Sequence, residues 1–493
     1  MPHRPLVVPH ADATAPPDYS HGVAKHGVAL GAVAAVACVA QFMVVLDSSI
    51  VNVALPSMKS GLGLSTSAQQ WVVNSYLVAF GGLLLFAARA SDLYGRRRVF
   101  QIGLVVFSLA SLVGGLAQEG WMLLAARTVQ GAGAAALAPS SLSLITASHT
   151  EPGRRTRAMT WWGVAASSAG AAGIVVGGLL AQASWRWVML VNVPVGAGLL
   201  IAGLVYLAPT PSGQRRTRID LPGAITVTLA AAALVYGVSA APDSGWSAPR
   251  VIVALVAGVL FLVAFAGIER RSSNPLVPLR IFSIPNVRMG NVLTLCMGAV
   301  ITAPLFFLSL YLQQVLGQSA VRTGLSLLPM AMVISVGVLL SQKLIPLIGA
   351  RRLVVIGGII AAVGLVWVGQ LPAHFDYVMH FLLPTVVVGA GTSLTMMPAI
   401  VAATTGVDPQ NAGVASGLIN MCRQLGAALG LAILVTIAST VTSRSADGGS
   451  TAVLDGYRIA FYAIAVLSLV TAGLAPGLKT SPSTAAASTR RSA

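Results

Sequence analysis

Asp47 lies deep in the first apolar run of the chain, GVALGAVAAVACVAQFMVVLDSSIVNVALP, with about twenty apolar or small residues before it and eight between it and Pro56. A carboxylate at bilayer depth costs about 2.5–3.5 kcal/mol on translocon scales, so one that is kept there is a functional candidate, and its usual work is to carry a proton. Burial of a lone carboxyl group disfavours its charged form. Two cations lie in similar positions, Arg127 in the fourth apolar run and Arg423 in the thirteenth. Arg127 and Gln130 are three residues apart and share a helix face. Arg127 either faces a partner or a wet cavity, or snorkels to a membrane surface. Arg423 has two readings, a place in a cavity or gate and a structural hydrogen bond between helices.

Other chemistry is excluded by what the chain lacks. There is no phosphate-binding G-x-x-x-x-G-K-[ST] loop, no H-E-x-x-H and no paired set of cysteine ligands. Cys38, Cys296 and Cys422 all fall in apolar runs and read as small hydrophobes. His149, His374 and His380 lie near loops and read as solvated rather than metal-binding. No cofactor, no metal and no enzymatic constellation is expected.

The elements that must position these residues are membrane helices. Hydrophobic residues make up 56% of the 493 residues and charged residues 9%, against about a quarter charged in soluble domains. Apolar runs of bilayer length recur throughout. They predict an all-α polytopic membrane protein with 14 spans, near 30–54, 70–88, 99–117, 122–147, 158–181, 187–208, 221–240, 250–268, 289–312, 323–345, 352–371, 377–400, 411–436 and 457–476. The first run is too long for a signal peptide and has no cleavage site. With the N-terminus inside, 22 of the 30 Lys and Arg fall on the inner side and six on the outer, leaving Arg127 and Arg423 within helices. That bias fits the positive-inside rule and puts both termini in the cytoplasm. The net charge of +17 therefore follows topology, and no nucleic-acid partner is implied. The composition, rich in Ala, Gly, Val and Arg, suggests a bacterial plasma membrane.

Residues 1–27 and 477–493 read as unstructured tails. Between them the chain looks duplicated. The inner loop ARASDLYGRRR (88–98) has a counterpart in SQKLIPLIGARR (341–352), and the helix opening Gly163-Val164-Ala165 has one opening Gly413-Val414-Ala415. The expected domains are a six-helix bundle over 28–210, two extra helices over 211–275 and a second six-helix bundle over 276–476. Repeats of this kind place a shared cavity at the midplane.

In the first of those loops, Asp92, Gly95, Arg96 and Arg97 combine a tight reversal with an acid beside arginines, which can form a latch that differs between two conformations. Gly170, Gly173, Gly177 and Gly178 form a small-residue stripe on the fifth helix that permits close helix packing.

These motifs together resemble the major facilitator superfamily, in particular its 14-helix drug:proton antiporters. The run Leu46-Asp47-Ser48-Ser49-Ile50-Val51-Asn52-Val53-Ala54-Leu55-Pro56 matches the family's first-helix signature apart from Ser49. The loop matches at Ala88, Ala90, Asp92, Gly95, Arg96 and Arg97, and the fourth helix at Arg127, Gln130, Gly131, Gly133 and Ala134. The Gly-Pro pair of family antiporters is absent, since Ile174 follows Gly173. Further matches run from Leu310-Tyr311-Leu312-Gln313-Gln314 and from Ala415-Ser416-Gly417 to Asn420, Arg423 and Gln424.

The resemblance implies a proton-coupled exporter of hydrophobic or amphipathic drugs that works by alternating access. Asp47 would be the coupling acid, with Arg127 poising it. Asn52, Gln130, Tyr311, Gln314, Asn420 and Arg423 would line the substrate cavity. An ionised Asp47 would favour a cationic substrate. The partners expected are a small hydrophobic substrate, protons and the lipid bilayer, with the protein a monomer. Two alternatives are an exporter dedicated to one endogenous metabolite or self-made antibiotic, and a non-transporting membrane sensor or scaffold.

Overall fold

The structure, a computed structural model, describes residues 20–149, 151–207, 220–370, 376–408, 412–445 and 449–478. Arg215, Arg216, Arg218, His374 and Asp447 lie outside the described residues, as do both expected tails except 20–27 and 477–478.

Helices dominate because each apolar run satisfies its own backbone hydrogen bonds, as a bilayer requires. In chain order they are α1 (Ser20–Leu62), α2 (Thr66–Tyr94), α3 (Arg96–Gly115), α4 (Gly120–Ser148), α5 (Pro152–Ala183), α6 (Trp185–Leu190), α7 (Asn192–Tyr206) and α8 (Leu221–Ser244). They continue with α9 (Pro249–Arg271), α10 (Pro285–Leu310), α11 (Ala320–Ile348), α12 (Ala350–Val368), α13 (Leu383–Thr404), α14 (Ala412–Arg444) and α15 (Gly449–Leu474). The short α6 and α7 together make one span, Trp185–Tyr206, so with α4 the elements among the described residues form 14 spans. Thirteen pass a test of length and hydropathy; α4, 29 residues long, does not, and it is the helix that carries Arg127 and Gln130. α1 begins at Ser20, ten residues before the expected span, and no proline interrupts the sequence between them.

Small polar residues set several boundaries. The Ser65 hydroxyl accepts from Ala68 N and caps α2, and Asp220 accepts from Gly223 N at 2.8 Å and caps α8. The two similar loops close in the same backbone conformation. Gly95 has φ 94° and ψ 132°, Gly349 has φ 86° and ψ 145°, and both reversals demand a glycine.

The spans gather into two sets, α1–α7 and α10–α15. They meet where α2 packs on α14 and α5 packs on α11. The second and fifth spans of one set thus face the fifth and second of the other, the pattern of a two-fold pseudo-repeat. α8 packs on both α2 and α14, and α9 packs on α8. α9 leaves Val253, Val256, Val259, Leu260 and Val263 exposed, a surface suited to lipid.

The sets are sealed at the end where α1 turns into α2. There Ser309 Oγ donates to the Asn52 carbonyl at 3.0 Å and Gln313 Nε2 donates to Val53 O at 2.9 Å. A Cβ on Gly178 would lie 2.6 Å from Ala320 O, and one on Gly324 would lie 2.5 Å from Ile174 O. Here α5 and α11 touch backbone to backbone.

Candidate functional site

Asp47 is fully buried, and it is not alone. Arg127 Nη1 lies 2.6 Å from its Oδ2, with Arg127 1% exposed and Asp47 0%. Gln130 Nε2 and Asn192 Nδ2 each donate to its Oδ1 at 2.8 Å. Arg127 Nη1 also donates to Gln130 Oε1 at 2.7 Å, and its Nε donates to Val72 O at 3.1 Å. Ser111 closes the network: its Oγ accepts from Gln130 and from Asn192, each at 3.0 Å, and donates to Met189 O at 2.8 Å. The Arg127 guanidinium stacks 4.2 Å from the centre of the Tyr76 ring.

Six helices contribute: α1 with Asp47, α2 with Tyr76 and Val72, α3 with Ser111, α4 with Arg127 and Gln130, α6 with Met189, and α7 with Asn192. Arg127 therefore turns inward to pair and does not snorkel, because a buried guanidinium needs a counter-charge. Every side-chain group that touches the carboxylate is an N–H donor. None accepts a proton from it; a proton on Oδ1 must displace Gln130 or Asn192, and a proton on Oδ2, which accepts from Arg127 alone, removes the charge that holds the guanidinium. Protonation and geometry are linked at this point.

Close backbone packing brings α1 to the network. A Cβ on Gly173 would lie 3.0 Å from Leu46 O, and one on Gly177 would lie 2.9 Å from Ile50 O. Gly178 faces α11 instead, and Gly170 has nothing within 4 Å. The stripe is thus divided between α1 and α11, and Gly170 belongs to neither contact. Ile174, in the position of the family proline, leaves α5 a continuous helix of 32 residues.

The expected cavity residues separate into three places. Gln130, 0% exposed, belongs to the Asp47 network. Asn52 and Tyr311 are buried toward the sealed end, where Asn52 Nδ2 bonds to Ser48 O in its own helix. Gln314 lies farther out and accepts from Tyr457 Oη at 3.0 Å. Asn420 is exposed and Arg423 half-buried beside it, with Arg423 Nη2 3.4 Å from Asn420 Oδ1.

In the α2–α3 loop, Arg97 Nη2 donates to Leu204 O at 3.0 Å, and Asp92 is exposed and in none of the ion pairs among the described residues. The expected acid–arginine latch is therefore not engaged in this conformation. His149, expected to be solvated, is 6% exposed, with Nδ1 2.9 Å from Ser148 Oγ, because the end of α4 folds under its neighbours. Trp121, Trp187 and Trp246 are exposed like interfacial anchors, but Trp185 is buried and holds Arg186 at 4.6 Å.

Sequence reasoning missed Ser111, Asn192 and Tyr76 as members of the site. Asn192 carried a signal, an amide in the apolar run VMLVNVPVG. Ser111 carried none, since an isolated serine in a membrane helix is commonplace.

Residues 37–431 match the family model of the Major Facilitator Superfamily. The chain belongs to that superfamily. It is 43% identical over 446 residues to a cephamycin export protein of Amycolatopsis lactamdurans, covering 90% of this chain and 91% of that one. It is 41% identical over 449 residues to a puromycin resistance protein of Streptomyces alboniger, covering 88% of each. Among solved structures, a D-xylose–proton symporter aligns with a TM-score of 0.65 over 92% of this chain and 98% of that one, at 14% identity. The nucleoside transporter NupG gives a TM-score of 0.64 at 11% identity, over 91% of this chain and 100% of that one. At such identities these structures speak for the fold alone. As a superfamily member, the chain is a multi-pass membrane transporter and not an enzyme.

Proposed function

We propose that this transporter exports antibiotic-like small molecules from the cytoplasm in exchange for protons, with both termini cytoplasmic and Asp47 as the proton carrier. The observation that carries the proton role is the sealed Asp47–Arg127 pair. It is the one ion pair among the described residues with both side chains buried. A proton reaching Asp47 cancels the charge that holds Arg127, Gln130 and Asn192, and so loosens α1 from α4 and α7. α1 also carries Asn52 and Val53, whose carbonyls hold the seal to Ser309 of α10 and to Gln313 in the turn just beyond it. Loss of contact at Asp47 thus reaches the gate five residues away on one rigid helix. That is the coupling that rocker-switch exchange requires.

The substrate class rests on the two relatives above, one named for cephamycin export and the other for puromycin resistance. The first also favours a second reading, an exporter dedicated to one antibiotic made by its own host. The test uses everted membrane vesicles and a susceptibility panel in an efflux-deficient host. Wild type should show efflux that follows the proton gradient, and Asp47→Asn should not. Full gradient-driven efflux by Asp47→Asn would overturn the assignment. Resistance to a single compound class would select the dedicated exporter.

A further inference from the structure

We infer that the open cleft between the two helix sets binds its substrate through an organic anion, a carboxylate or its equivalent, held by Arg423. The inference rests on the exporter reading and adds the charge of the cargo.

Arg423 belongs to a stripe on α14 formed by Ser416, Asn420 and Arg423. Its place is fixed by what lies beside it. On one side Gly417, Gln424 and Leu425 pack on α2 at Leu85 and Gly81, and on the other Gly426 and Gly430 pack on α10 at Leu295 and Ala299. Ile433, 47% exposed, marks the lipid side of α14. The stripe runs between the α2 and α10 contacts and away from that lipid side, so it faces the space between the helix sets. Ser416 and Asn420 are exposed and Arg423 half-buried. Farther along the same face Ala427, Leu431 and Leu434 are buried, at 2%, 0% and 4%. Exposure along this face of α14 therefore falls toward the sealed end. α1 repeats this change: Ser48 and Ser49 are half-buried, and Asn52 is 3% exposed.

The charge in this cleft is positive. Asp47, the acid at comparable depth, is 0% exposed, and both its oxygens are occupied by Arg127, Gln130 and Asn192. It offers no free negative charge to a cationic substrate. None of the three ion pairs among the described residues includes Arg423. Its hydrogen bond to Asn420, at 3.4 Å, is long and comes from its own helix. A guanidinium at membrane depth with no acid beside it is costly and attracts a counter-anion. Its planar fork matches a carboxylate, or a similar planar or tetrahedral oxyanion, in bidentate geometry.

The test measures binding of three acid–ester pairs with a common core to the full chain in lipid nanodiscs. The pairs are rhodamine 110 and its methyl ester rhodamine 123, fluorescein and its methyl ester, and cefoxitin and its methyl ester. At least one acid should bind wild type about tenfold more tightly than its ester, the scale of one charge-assisted contact. Arg423→Gln should bring that ratio close to one, and Arg423→Lys should keep most of it. Asn420→Asp, which places an acid beside an intact Arg423, should also abolish the preference and covers the case of Arg423→Gln failing to fold. The inference is overturned when no pair shows acid preference in wild type, or when the preference survives Asn420→Asp. Gradient-driven efflux of the same six compounds separates the two claims. Efflux of esters alone defeats only the anion, whereas no gradient-driven efflux of any compound defeats the exporter reading.

Discussion

Asn192 reaches Asp47 across the first helix set: its Nδ2 donates to Asp47 Oδ1 at 2.8 Å and to Ser111 Oγ at 3.0 Å, while its own Oδ1 is buried without a partner. One amide thus ties α1 and α3 to α7. Hydrogen bonds to charged groups contribute roughly 1.5–3 kcal/mol each. Asn192→Ala should therefore lower the thermal unfolding midpoint of the purified protein and reduce proton-driven efflux. Asn192→Asp should do more damage, because it sets a second carboxylate against the first. Equal stability of the wild type and both variants would remove Asn192 from the site.

Losing Arg127 alone should cost more stability than losing Arg127 and Asp47 together. Removing one partner of a buried pair strands the other charge, at a cost of about 3–5 kcal/mol, whereas removing both leaves neutral groups that can still hydrogen-bond. Arg127→Gln should be much less stable than wild type. Adding Asp47→Asn to it should recover part of the loss without restoring gradient-driven efflux. Strict additivity of the two changes in thermal unfolding would mean that the pair is not coupled.

Asp92 should be silent for stability and important for transport. It is exposed in this conformation, and its neighbour Arg97 is bound to Leu204 O instead. The expected latch, absent from this conformer, would stabilise the other. Asp92→Asn should leave the unfolding midpoint of this conformer within about a degree, as exposed substitutions usually do, and should slow substrate-driven turnover several-fold. Wild-type turnover in Asp92→Asn would reduce the loop to a topology signal.

These cases show what the sequence could carry. Asp47 and Arg127 were legible because a charge in an apolar run is costly enough to need an explanation, and the two costs cancel in a pair. The order of the spans was legible from hydropathy, though α1, α2, α5, α14 and α15 overrun the expected bounds by several residues, and Gly95 and Gly349 were legible from their place in two similar loops, where both adopt positive φ. Ser111 was not legible, since its role depends on Met189, Gln130 and Asn192 meeting it from other helices. The destination of each polar residue was not legible either. Asn52 and Asn420 look alike in apolar runs, yet one lies under the seal and the other in the open cleft. Which is which depends on the conformation the two helix sets adopt.

That conformation is open to manipulation at Gly178. A Cβ there would lie 2.6 Å from Ala320 O and 2.9 Å from Val321 Cα, both backbone atoms that cannot turn aside. Valine at this position should keep α5 off α11 at the sealed end, at an overpacking cost of about 1–3 kcal/mol. The cost falls on the sealed conformer alone, so the balance should move toward the opposite one by roughly five- to 150-fold. Asn52, 3% exposed when sealed, then becomes the reporter. In a cysteine-free background, Asn52→Cys should label slowly with a membrane-impermeant maleimide from the sealed side. Adding Gly178→Val should speed that labelling at least several-fold and slow transport, because return to the sealed state becomes costly. Gly178→Ala, which adds one methyl group at the same spot, should fall between the two. Unchanged labelling in Gly178→Val would mean that α5 and α11 do not form the moving seal.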